Sequence, residues 1–257
     1  MNINECLINK FVRSLLENQS SYMLNFENRV GYRPDENNYN LLTEKEKYTA
    51  GISQILTNFI STIEQLEFIK IFIRRTPYKK YLWNNSIDEL KYIQYHLEVL
   101  FHKIHTILEI MKLLLNEVYI LNFNEKNCTW QNLVSQLGTE IQPMVILNNY
   151  FTTFKNIIEL RHLNSHRGFY LDQEQEEIDL YTGYGLLKLY NNSGIEPDEE
   201  FNSRVSQQKI KEQISLFRKR KINIINNIQA KISEYSNDFL ESLYEKYNEY
   251  YNSLSSN

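Results

Sequence analysis

Between residues 204 and 252 the chain has neither glycine nor proline. Along that stretch Ile210, Ile214, Phe217, Ile225, Ile232, Phe239 and Tyr247 belong to an apolar series recurring about every 3.5 residues. Nothing in the run breaks a helix, so it predicts one very long helix or two nearly collinear ones. Such a helix must cover its apolar stripe, either by closing a bundle within its own chain or against a second chain. The whole sequence holds only 7 glycines and 4 prolines in 257 residues, too few for the many tight turns of a sandwich. The expected fold is therefore all-α. It is an up-down helical bundle with a long C-terminal helix, organised as a single domain over residues 1–257.

The remaining helices announce themselves by period and by caps. Residues 4–29 are helical in pattern and stop before Gly31-Tyr32-Arg33-Pro34. Thr43-Glu44-Lys45-Glu46 has the form of a capping box and opens a helix to about residue 75, where Thr76-Pro77 ends it. Ser86-Ile87-Asp88-Glu89 reads as a second box, opening a helix over about 87–121 with Ile93, Leu97, Leu100, Ile104 and Leu108 on its buried stripe. Residues 129–137 predict a short helix closed by Gly138. Thr139-Glu140-Ile141-Gln142 reads as a third cap before a helix that carries Pro143 in its first turn. The pattern changes over 170–197. There Ile178-Asp179-Leu180-Tyr181 and Leu186-Leu187-Lys188-Leu189-Tyr190 flank Thr182-Gly183-Tyr184-Gly185, and the segment is read as a small β-hairpin insertion.

A net charge of −4 excludes a globally basic nucleic-acid coat. Two local clusters stand out, Arg74-Arg75 with Lys79-Lys80, and Arg218-Lys219-Arg220-Lys221. Each suits a solvated helix surface as well as a binding surface. Cys6 and Cys128 are isolated and lack metal-type spacing, which points to a reducing, cytoplasmic setting. The N-terminus lacks the pattern of a signal peptide. No apolar run approaches the ~18 residues of a membrane span, so no membrane association is expected.

Functional side chains concentrate at the end of the helix after Pro143. Arg161-His162-Leu163-Asn164-Ser165-His166 is Arg-x4-His with a polar residue directly after the arginine. With ten arginines and five histidines in the chain, the bare spacing arises by chance roughly 0.2 times. Its context counts for more: an amphipathic helix end, Arg167 next and Gly168 just beyond. A structural reading also exists, since Arg and His can satisfy the last carbonyls of a helix. A second polar set, Glu98, His102, His105 and Glu109, lies along one side of the helix at 87–121. It has spacing compatible with metal ligation but reads better as a solvated face. His96 stands among Tyr and Leu and reads as a packed or surface residue. The late tyrosines, Tyr244 to Tyr251, read as packing residues rather than base-stacking ones.

The segment Glu159 to Gly168 resembles the HEPN superfamily (higher eukaryotes and prokaryotes nucleotide-binding), helical bundles whose members often carry Arg-(polar)-x3-His. The motif covers a handful of residues and the helical layout most of the chain. The resemblance implies a metal-independent endoribonuclease acting as a symmetric homodimer, with no cofactor. RNA, tRNA or mRNA among it, would be the substrate. Toxin–antitoxin pairs and phage defence would be the setting, with an antitoxin or regulatory protein as partner. It assigns proton transfer to His166, phosphate binding to Arg161, and a second polar contact or an orienting role to His162. In some members a tyrosine follows the histidine by two positions; here that position is Gly168 and the nearest tyrosine is Tyr170. Other members are inactive, so a module that binds RNA, nucleotide or protein without cutting is the alternative.

Overall fold

The computed structural model describes residues 8–167 and 172–254, and all of their side chains except those at 25, 162–167 and 191. Among the described residues there is no strand. Ten α-helices follow in order: α1 Lys10–Phe26, α2 Glu44–Arg74, α3 Lys79–Asn84, α4 Glu89–Val118, α5 Trp130–Leu137, α6 Gln142–Arg167, α7 Gln173–Tyr181, α8 Tyr184–Ser193, α9 Glu199–Arg204 and α10 Gln207–Ser253. The protein is an all-α helical bundle with the expected long C-terminal helix, a single 47-residue element. No helix among the described residues is long and apolar enough to cross a membrane.

Local chemistry explains where these helices start and stop. The capping box of α2 is present: Glu46 N–H donates to Thr43 Oγ1 (3.4 Å) and Thr43 N–H donates to Glu46 Oε2 (2.8 Å). Arg29 extends it, pairing with the Glu46 carboxylate and donating to Leu41 O at 2.6 Å. The predicted cap of α4 is corrected. Asp88, not Ser86, accepts the Leu90 and Lys91 N–H groups at 2.8 and 3.0 Å, and Ser86 takes a positive φ of 60°. α4 also ends before residue 121. Ile120 and Asn122 turn left-handed, while the buried Asn116 side chain binds both Phe123 N–H (2.9 Å) and Phe123 O (3.0 Å). Thr129 caps α5 and Gly138 closes it at φ 73°, as the sequence predicts. The Thr139 cap is not formed: its hydroxyl donates to Glu140, and Met144 N–H instead reaches Ile141 O (3.0 Å).

The β-hairpin is corrected too. Residues 173–193 form two short helices, α7 and α8. Asp172 caps α7 by accepting Glu174 N–H (3.1 Å), and Gly183 at φ 71° makes the turn between the helices. Thr182 Oγ1 then accepts Tyr184 N–H at 3.3 Å. The alternation read as strand arises because Ile178 and Tyr184 are buried while Leu180 and Tyr181 face solvent.

The chain divides into two compact units. Unit 1 comprises Met1–Gln65, Lys103–Lys155 and Gln229–Asn257. Its core is centred on Tyr247, which stacks on Tyr48 (centroids 5.6 Å), meets Phe11 edge-on (5.5 Å) and accepts from Asn18 at 2.8 Å. Tyr150, fully buried, donates to Ile104 O at 2.8 Å, so its hydroxyl is satisfied in the apolar interior. Unit 2 comprises Leu66–His102 and Asn156–Ile228, with Ile73, Leu90, Ile93, Phe217 and Ile225 fully enclosed. Burying each such side chain contributes roughly 1.5–3 kcal/mol.

Candidate functional site

The predicted motif occupies the last turns of α6. Ile158 anchors that end of the helix in the core of unit 2. Arg161 follows, partly exposed, and its Nε–H points to His102 Nδ1 at 3.5 Å, the long limit of a hydrogen bond. Residues 162 and 166 continue the α6 backbone, but the side chains of His162 and His166 lie outside the described residues, as do Gly168 and Tyr170.

Backbone geometry still constrains the motif. Five helical residues turn about 140° beyond a full circle and rise about 7.5 Å. Positions 161 and 166 therefore sit on different sides of α6, while 162 and 166, four apart, share one side. His102 lies on α4 one and two turns from Glu98 and Tyr95, on the same side of that helix. Tyr95 is exposed there, and Phe68, Ile71 and Phe72 of α2 expose further apolar surface in the same unit. His96 stacks on Phe72 (5.2 Å) and is met edge-on by Tyr92 and Tyr95. It is a packed histidine, and burial holds its pKa below the ordinary value.

The polar set on α4 is drawn into separate pairings. In unit 2 Glu98 accepts from Gln94 (3.2 Å) and His102 meets Arg161. In unit 1 His105 lies 3.4 Å from Glu109, which also pairs with Lys112 at 2.6 Å. Among the described residues no group of three or more His, Cys, Asp or Glu side chains is arranged to hold a metal ion. The sequence placed His102 on a polar face but gave no sign that it would meet Arg161. That pairing depends on tertiary placement of two helices.

The two basic clusters part ways. In the first, Lys79 pairs with Glu89 while Arg74, Arg75 and Lys80 are exposed. In the second, Arg218 binds Glu89 and donates to Thr76 at 2.9 Å, Arg220 pairs with Glu174, and Lys221 is buried against Asp172 at 2.6 Å. The second cluster is thus mostly a structural clasp that ties α10 to the start of α4 and the cap of α7.

The family model described as HEPN_Cthe2314-like HEPN matches residues 48–235, a span that contains the whole of Arg161–His166. No curated protein and no solved structure matches the chain.

Proposed function

This chain belongs to the HEPN superfamily, and on that premise we propose that it is a metal-independent endoribonuclease acting as a homodimer, in a toxin or phage-defence role. The observation that supports this most directly is Arg161, held at an accessible position by His102 at the end of the helix that carries Arg-x4-His.

The chemistry follows from the groups. The 2′-hydroxyl of one nucleotide attacks the adjacent phosphorus, and the P–O5′ bond breaks to leave a 2′,3′-cyclic phosphate and a free 5′-hydroxyl. A base must take the 2′ proton and an acid must supply one to the departing oxygen. Histidine serves either part near neutral pH, and we assign His166 to it, typically worth ~10²–10⁴-fold. Arg161 binds the non-bridging oxygens, whose charge grows in the transition state. His102 acts through Arg161 as a positioning residue, and His162 supplies a further polar contact. Cleavage needs both an acid and a base, and positions 161 and 166 diverge around one helix. Two copies pooling their motifs supply the full set, which is the physical case for the dimer. The exposed Phe68, Ile71, Phe72 and Tyr95 offer a surface for it.

The test is cleavage of total RNA and tRNA in EDTA by wild type and by His166→Ala. Wild type is expected to release cyclic-phosphate ends, and His166→Ala to lose ~10²–10⁴-fold in rate. RNA bound but left uncut by wild type would instead identify a non-cleaving module, and equal cleavage by both proteins would remove His166 from the site.

A further inference from the structure

The turn from α2 into α3 is oddly built for a structural connection. Tyr78 sits at φ 48°, a left-handed conformation that is costly for a bulky residue, yet its side chain is 82% exposed. Tyr81, one turn on, is 68% exposed. Strain without burial returns no packing energy, so it points to a surface that serves something else. Arg74, Arg75, Lys79 and Lys80 are all exposed in the same eleven-residue stretch, 74–84. Lys79 pairs with Glu89, but among the described residues no ion pair holds Arg74, Arg75 or Lys80. A chain of net charge −4 thus concentrates uncompensated positive charge beside two unburied tyrosines.

The surface is also concave. Tyr78, Tyr81 and Asn84 line one depression with Lys79 and Lys80. The same two lysines border a cleft of about 270 Å³ lined by Trp83 and Tyr184, whose ring centroids are 6.3 Å apart, and by Asp88 and Glu89, whose carboxylates are paired with Lys188 and with Lys79 and Arg218. That volume falls just short of the ~300–1,000 Å³ of drug-sized ligand sites. It suits a single planar base better than a larger molecule.

We propose that residues 74–84 form a binding track for single-stranded RNA, separate from Arg161 and His166. Arg74, Arg75 and Lys80 hold successive phosphates, Tyr78 and Tyr81 stack on bases, and the cleft beside Trp83 takes one further base. Cations interleaved with exposed aromatics fit a single strand, because only unpaired bases present free faces for stacking. An acidic protein would answer the charge but gives no reason for the exposed rings. This inference rests on the RNA-cleaving reading for the identity of the ligand, not for the geometry.

The test is fluorescence anisotropy with a labelled single-stranded RNA of about twelve nucleotides, within the range of known single-strand sites, and a duplex of the same sequence. The protein is the full chain carrying His166→Ala, so that the probe survives. Tyr78→Ala and Tyr81→Ala are each expected to weaken binding about tenfold, for the single strand only. The triple variant Arg74→Ala, Arg75→Ala, Lys80→Ala is expected to flatten the plot of log affinity against log salt by about 2, or about 0.7 per phosphate contact. Removing three exposed lysines elsewhere in unit 2, Lys209, Lys211 and Lys219, is the control and should change the slope little. All of these positions are exposed, and unchanged melting temperatures verify folding. Unchanged affinity in the Tyr and Arg/Lys variants, an equal loss in the lysine control, or a His166→Ala parent that binds no RNA would overturn the proposal; a partner for the surface would then be sought among acidic proteins. Binding that follows the variants as expected, with no cleavage by the wild-type chain, would uphold the track and refute the nuclease.

Discussion

At the scale of single residues, the pairing of Arg161 with His102 makes a sharp demand. His102 must accept a hydrogen bond through one ring nitrogen, so the shape of the ring matters less than the acceptor. His102→Gln is expected to keep most cleavage and His102→Phe to lose roughly tenfold to a hundredfold, less than the ~10²–10³-fold expected for Arg161→Ala. Single-turnover rates on a short RNA measure the difference, and equal loss in both His102 variants would show that the imidazole itself takes part. His96 sets a pH dependence of stability. Burial lowers its folded pKa below that of the unfolded chain, so the unfolded state binds the proton more readily. The stability it contributes is present above about pH 6.5 and is lost as pH falls through the folded pKa. Melting temperatures at pH 7.5 and 5 should drop less in His96→Phe, whose ring can still stack on Phe72. The sequence showed that His96 sits among aromatic residues. It did not show which helix would supply Phe72, because that stacking joins positions 24 residues apart through tertiary folding.

At the scale of elements, periodicity carried most of the information. The long C-terminal helix, the helix opened by Thr43 and the short helix closed by Gly138 were all legible, since each has a sustained stripe or a strong cap. The errors came where two local codes overlap. Ser86 and Asp88 are both good capping residues two positions apart, and burial of Asp88 beside Lys188 (3.3 Å) decided between them. In 173–193 a run of two short helices on either side of a glycine mimics alternating strands, because each helix is too short to show its own period. Gly183 is where that segment is most exposed to substitution. An L side chain there meets φ 71° and places its Cβ 2.7 Å from Val205 Cγ2. Gly183→Ala should cost about 1–2 kcal/mol from the backbone alone and lower the melting temperature by about 2–8 °C. A change near zero would show that Val205 moves away freely and that the turn bears no strain. Lys221 is nearly enclosed between Asp172 and Glu174, so Lys221→Ala removes the cation from a buried ion pair and should cost up to about 3–5 kcal/mol by chemical denaturation.

At the scale of the whole molecule, the all-α class and its family were within reach of the sequence, since the motif lies inside the matched span and the long helices lie mostly within it. The homodimer is an expectation from the resemblance alone; the exposed Phe68, Ile71, Phe72 and Tyr95 that would offer it a surface become visible only once α2 and α4 are placed. Replacing Phe72 or Tyr95 with Glu is expected to shift the protein from dimer to monomer by analytical ultracentrifugation and to abolish cleavage with it. A monomer that still cuts RNA would show that one copy carries a complete site. Unit 1 holds a different lesson. Asn9 on the approach to α1 donates to Asn237 at 3.2 Å, and Asn18 and Ser14 reach Tyr247 and Asn248, so α1 packs against α10 across more than 220 residues. A ribosome adding ~5–20 residues per second delivers those partners roughly 10–45 s after α1 emerges. Until then Phe11 lacks its edge-on partner Tyr247. Joining α1 to α10 closes a loop of more than 220 residues, a contact of the kind that forms late in folding.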